Sequence, residues 1–234
     1  MMSEKRIYRR ASLKDVEDIY RICCKMQLEN KPKSMSKRGF LISHYTENPE
    51  MKKVIEADIF DSIFLVCETR LGILGFLQGY PSKQWQKIRP DLCSPDGGEI
   101  IWLDERLRKI GIQDIHSFNG YGVLEKITVD KTLNQKRVAF GLIKLFGKIL
   151  LEMGKTHIMS EIVTAIYRGE DLLNIANKAS ITFHRRLGFT RVGTSNKYRY
   201  EDSYLGKKGY FKDDIYMARI SALPYTYRRL FRVV

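Results

Sequence analysis

Residues 121–154 constrain the fold more than any other part of this 234-residue chain. They open as an apolar strand, "YGVLEKITV", cross the polar loop "DKTLNQK" and enter the run "RVAFGLIKLFGKILLEMG". Alternation along the strand predicts Val123, Glu125, Ile127 and Val129 on one side, with Leu124, Lys126 and Thr128 on the other. In the run that follows, Leu142, Leu145, Phe146, Ile149 and Leu150 recur at helical spacing. They predict a helix over residues 138–153, closed by Gly154. A strand that leads through a loop into a helix start gathers free backbone amides at one place, a common way to hold a phosphate. Loops of this kind usually contain glycine, so that the backbone can approach the ligand. Here Asn134, Gln135, Lys136, Arg137, Val138 and Ala139 all precede the first glycine, Gly141.

The flanking sequence supplies more strands and helices. Residues 6–10 form a short strand, and Ser12 then stands as an N-cap before "LKDVEDIYRICCKMQ", whose Leu13, Val16, Ile19, Tyr20 and Cys23 mark an amphipathic helix. A second helix falls within residues 38–58. "DSIFLVCETRLGILGFLQGY" is a hairpin, with strands over residues 63–68 and 73–80 and a turn at 70–72. Residues 81–119 interrupt the pattern as an insertion between two sheet strands, and "EIIWLDERLRKIGI" within it is strand, helix or both. After the central helix come the strand "HIMSEIVTAI", the helix "NKASITFHRRLGF", the strand "TRVGT" and a terminal strand "DDIYMARI". The order β-α-α-β-β-(insertion)-β-α-β-α-β-β describes an α+β fold with helices on the sheet's faces.

Composition narrows the function classes. With 44% hydrophobic residues the chain can build a substantial core, and its length fits one domain over residues 1–234, with the insertion at 81–119 and a basic tail at 221–234. No run is long and apolar enough to cross a bilayer, and "MMSEKRIYRR" lacks the apolar stretch of a secretory signal, so a cytoplasmic location is expected. Cys23, Cys24, Cys67 and Cys93 have no metal-ligand spacing and are expected reduced. Neither HExxH, paired CxxC nor a Walker loop occurs, so no metal is expected. The net charge of +14 favours anionic partners: a polyphosphate cofactor, RNA or another polyanion, or an acidic membrane surface.

Two segments resemble the GCN5-related N-acetyltransferases. "ITVDKTLNQKRVAFGLIKL" is similar to that family's strand, pyrophosphate loop and helix, whose loop usually reads Arg/Gln-x-x-Gly-x-Gly/Ala. "NKASITFHRRLGFTRVG" is similar to its closing Asn-x-x-Ala/Ser-x-x-Phe-Tyr/His-x-x-x-Gly-Phe motif. The opening "RRASLKDVEDIYRIC" and the hairpin "VCETRLGILGFLQGY" fit the family as well. In one register Asn134, Arg137 and Ala139 fall on the loop pattern, so that an arginine replaces the central glycine. In a shifted register Lys136, Ala139 and Gly141 do so, with a loop two residues longer.

The resemblance implies a mixed, mostly antiparallel central sheet with helices on both faces, and transfer of acetyl from acetyl-CoA to a primary amine by direct attack. It implies that the pantetheine arm pairs with the strand at Ile127, Thr128 and Val129, and that the pyrophosphate lies on residues 134–139. Asn177, Ser180 and Phe183 would flank the arm. A protonated amine needs a base. Glu125 takes the position where relatives keep a carboxylate, Glu161 on the adjacent strand is the rival, and His184 stands where relatives have the tyrosine thought to protonate the thiolate. The alternative is a basic nucleic-acid-associated protein on the same fold, either tRNA-directed or non-catalytic.

Overall fold

The computed structural model describes residues 5–27, 39, 41, 45–46, 50–88, 100–130, 135–168, 171–173, 176–202 and 207–223. The elements are β1 (Ile7–Arg10), α1 (Val16–Met26), α2 (Met51–Asp61), β2 (Ile63–Thr69), β3 (Gly72–Pro81), α3 (Ser82–Ile88), β4 (Ile100–Trp102), α4 (Asp104–Lys109), β5 (Tyr121–Val129), α5 (Gln135–Glu152), β6 (His157–Arg168), β7 (Asp171–Leu173), α6 (Lys178–Arg186), β8 (Thr190–Asp202) and β9 (Lys207–Arg219). They form one nine-stranded sheet in the order β1-β2-β3-β5-β6-β9-β8-β4, with β7 paired to β6. The β5–β6 pair is parallel, as the α5 crossover requires, and every other strand pair is antiparallel.

Both faces of the sheet are covered. On one, Val138, Leu142, Phe146 and Leu150 of α5 pack on Leu65, Leu77, Leu124 and Ile158. On the other, Ile19 and Ile22 of α1 and Ile55 of α2 meet Phe64, Val66 and Phe76. The segment between β3 and β5 extends that second layer: Trp85, Leu107 and Ile112 pack on Tyr121, Val123, Met159 and Ile215. "EIIWLDERLRKIGI" is both strand and helix, since β4 adds to the far edge of the sheet beside β8 and α4 follows it. Ser12 caps the first turn in a capping box with Asp15, and Arg9 clamps the Asp15 carboxylate at 2.7 and 2.8 Å.

Two sequence expectations change in extent. The second helix starts at Met51 and runs to Asp61, while most of residues 38–49 lie outside the described residues. The last two strands are 13 residues each and pair from Thr190↔Met217 out to Asp202↔Lys207. The basic-aromatic run "NKYRYEDSYLGKKGYF" therefore supplies the far part of both strands, residues 196–202 of β8 and 207–211 of β9. Cys93 and the tail beyond Leu223 lie outside the described residues.

The expected alternation along β5 does not hold. Gly79 pairs with Leu124 and Gln78 with Lys126, so Glu125 is an extra residue, a β-bulge. The bulge exchanges the faces. Val123 packs under the insertion, while Ile127 and Val129 face α5 on the opposite side. Gly79 makes the bulge possible, because a Cβ there would lie 2.5 Å from the Phe146 ring and 2.6 Å from the Val123 carbonyl.

Candidate active site

β5 and β6 run together for only four residue pairs, from Tyr121↔His157 to Leu124↔Ser160. Beyond that point β6 follows β9 as far as Arg168↔Gly209, and β5 follows β3 to Val129↔Gly75. The two central strands part at the bulge. Among the described residues, residues 125–129 of β5 keep a sheet neighbour on the β3 side alone, so their other edge offers backbone N–H and C=O groups to a ligand.

That edge leads to the start of α5 at Gln135. The N–H groups of Gln135, Lys136 and Arg137 belong to its first turn and have no intrahelical acceptor. Arg137 is exposed, and no non-glycine among the described residues has a positive φ. Arg137, which one of the two registers sets against the family's glycine, thus has ordinary helical backbone and an exposed side chain. Its carbonyl accepts a hydrogen bond from Tyr8 Oη at 3.2 Å. Val138 and Ala139 are buried, Val138 within the main core, so their side chains are turned away from solvent. Gly141 serves packing instead, deeper in α5, where a Cβ would strike the Tyr8 ring. Asn134 lies outside the described residues.

Glu125 is exposed at the bulge itself. Glu161 is half-buried on β6, one residue past the last β5–β6 pair and opposite Ile215 of β9. Thr128 is buried on the α1–α2 side of the sheet beside Phe76. Asn177 caps α6, its Oδ1 accepting from Ser180 N at 3.1 Å, and its own N–H donates to Val163 O at 2.9 Å. This ties the start of α6 to β6 beyond the parting. Phe183 is half-buried beside the main core.

His184 does not have the geometry of a proton donor. It is 1% exposed, packed edge-on against Phe183 and Phe189. Nδ1–H donates to the Ser180 carbonyl at 2.8 Å, which leaves Nε2 as the unprotonated nitrogen. Burial pulls its pKa down to about 4 against a weaker upward pull from that hydrogen bond. At neutral pH the ring carries no spare proton. Its position on α6 was legible in the sequence; its burial, set by Phe189 and Tyr216, was not.

This depressed pKa has a consequence for stability. The unfolded chain binds the proton near pH 6.5 and the folded chain near 4, so folding is favoured above 6.5 and weakens as pH falls through that window. Urea unfolding should show stability dropping by about 3 kcal/mol between those limits. His184→Met should flatten that part of the curve; an unchanged slope would contradict the assignment.

Sequence reading missed a polar cluster on the α1–α2 side of the parted strands. Lys126 Nζ stands 3.7 Å from Asp58 Oδ2 of α2, with the lysine side chain 24% exposed. Gln78, its partner across β3–β5, donates through Nε2 to Tyr80 Oη at 2.7 Å. Burial, together with Asp58 and Glu125 nearby, raises the Tyr80 phenol to about 12. Burial opposes the charge of Lys126, but Tyr45, Asp58, Glu125 and Tyr80 together hold its pKa above the ordinary lysine value. The sequence signal was Gln78, a lone polar side chain in "ILGFLQGY". Among the described residues, no three His, Cys, Asp or Glu side chains converge as a metal site would require, and no described helix is long and apolar enough to cross a membrane.

No family model matches the sequence, and no curated protein sequence matches it. Solved structures do. Aminoglycoside 6'-acetyltransferase type Ii aligns over 92% of this chain and 97% of its own, with a TM-score of 0.51 and 10% identity. A candidate acetyltransferase from Acinetobacter baylyi ADP1 aligns over 94% of each chain, with a TM-score of 0.52 and 12% identity. At these identities the likeness is one of fold.

Proposed function

The chain has the fold of the GCN5-related N-acetyltransferases, and from that premise we propose that it is an acetyl-CoA-dependent N-acetyltransferase acting on a primary amine. The observation that carries the reading is the parting of β5 and β6 after Leu124↔Ser160, with the α5 N-terminus at the end of the open edge. This fits the cofactor's chemistry at both ends. The backbone of Ile127, Thr128 and Val129 offers peptide groups to the amides of a pantetheine arm. The amides of Gln135, Lys136 and Arg137, aided by the charges of Lys136 and Arg137, suit a pyrophosphate. Val138 and Ala139 set the helix against the core beneath it. Asn177, Ser180 and Phe183 hold α6 beside the far wall.

Acetyl-CoA, when bound, supplies an activated acetyl group. The chain's own residues supply position and proton transfer. A backbone amide of β5 near the bulge polarises the acetyl carbonyl. Glu125 takes the proton of the acceptor ammonium, directly or through one water, so that the free amine attacks; the new C–N bond replaces the thioester C–S bond, and the second proton that the nitrogen loses passes through water to the departing thiolate. Glu161, with one face buried, shapes the β6 wall, and His184 packs that wall as a neutral ring.

A thiol-release assay with acetyl-CoA and a panel of primary amines tests the reading. Saturable, amine-dependent release of free thiol is expected. Folded protein that releases none with any amine at millimolar acetyl-CoA would contradict it.

A further inference from the structure

The polar cluster beside the bulge gathers Asp58, Gln78, Tyr80 and Lys126. Asp58 holds the Lys126 ammonium from the α2 side at 3.7 Å, too far to satisfy its donors. Tyr80 uses a lone pair on Gln78 Nε2 and keeps its hydroxyl proton to give. Gln78 is 1% exposed, and its Oε1 meets no donor among the described residues. A buried acceptor left in that state is costly unless something completes it. Glu125, next to Lys126 in the chain, is exposed at the bulge.

We propose that this cluster binds the acceptor, and that the acceptor is a zwitterion: a primary amine with a carboxylate beside it, of the α-amino-acid class. Lys126 and Tyr80 donate to the carboxylate, while Gln78 Oε1 and Glu125 accept from the amine. Complementarity works in both senses. The cluster's charges are Asp58, Glu125 and Lys126, two negative and one positive, so one ammonium is attracted. A second cation on the same molecule would lie against Lys126, and like charges brought together in a cleft are strongly disfavoured. The position also fits. Lys126 sits on β5 two residues past the last β5–β6 pair, where no described residue of β6 pairs with it. It faces the α1–α2 layer, opposite the α5 side to which Ile127 and Val129 turn. The acceptor thus meets β5 on the α1–α2 face, beside the open edge that the cofactor's backbone contacts would use.

The inference rests on the acetyltransferase reading, yet its test does not need turnover. The probes are the common N-acetyl-L-amino acids, the products such a reaction would release, and their neutral primary amides. Calorimetry on the full chain should find at least one acid bound about tenfold or more tighter than its amide, as expected for loss of one charge-assisted hydrogen bond. Lys126→Gln should abolish the preference and Lys126→Arg should keep it. In turnover, Lys126→Gln should raise KM for the acid far more than it lowers kcat. Acids bound no better than amides, or a preference untouched by Lys126→Gln in a folded variant, would overturn the proposal. Acetyl-CoA binding, measured separately on the same samples, shows whether the parent reading fails as well.

Discussion

Glu125→Gln should lower kcat for acetyl transfer by about two to four orders of magnitude, the usual contribution of a positioned base. Acetyl-CoA affinity should stay within about twofold, because the cofactor's expected contacts on β5 are backbone groups that the substitution leaves in place. The effect follows from where the fold puts this carboxylate. A strand residue without a bulge would point into one of the two cores, and a glutamate there would be costly. The bulge leaves Glu125 exposed, at the point where β5 and β6 part. The deficit should shrink at high pH, where the acceptor amine loses its proton without help. Glu161→Gln should cost much less, since its Oε1 is buried. A pH-rate profile of the two variants distinguishes them. Equal losses in both, or a Glu125→Gln deficit that persists at high pH, would remove Glu125 from the role of base.

Phe146→Ala should cost about 3–5 kcal/mol of folding stability, a large share of the 5–15 kcal/mol typical of a domain. Phe146 is fully buried among Leu77, Leu124, Leu142 and Leu150. Its ring also lies on the backbone of Gly79, where β3 meets the bulge. Little can collapse into the space it leaves, because a strand lies on one side and a helix on the other. For a chain of this size the midpoint of thermal unfolding should fall by about 6–20 °C. A shift below about 2 °C would show that the ring does not anchor α5 to the sheet. The loss should carry over to function, because α5 brings the amides of its first turn to the end of β5.

Much of this architecture was legible because local signals agreed with one another. The stripe Leu142, Phe146 and Leu150 marked α5, and the turn around Arg70 marked the hairpin, since each needs only its own periodicity or turn chemistry. The family's closing motif placed Asn177, which does cap α6. What was not legible depended on partners distant in sequence. The bulge at Glu125 is invisible in "GVLEKITV", because a bulge is defined by the opposite strand, and the two-residue period therefore carried Val123 to the wrong face. Strand β4 joins the sheet beside β8, some ninety residues away along the chain, and three residues carry too little pattern to announce it. The burial of His184 depends on Phe189 and Tyr216, so the motif gave its position and said nothing of its protonation. The cluster of Asp58, Gln78, Tyr80 and Lys126 gathers residues from α2, β3 and β5, which only the register of β3 on β5 brings together.

The central claim is that the open edge of β5 and the first turn of α5 hold acetyl-CoA although Arg137 replaces a glycine. Isothermal titration of acetyl-CoA into the full chain tests it most directly, with Arg137→Gly and Arg137→Glu alongside. The account predicts micromolar binding by the natural chain, little gain from Arg137→Gly because the backbone there is already helical, and weaker binding by Arg137→Glu. Binding that appears only with the glycine in place would mean that the arginine closes the site, and would contradict the account.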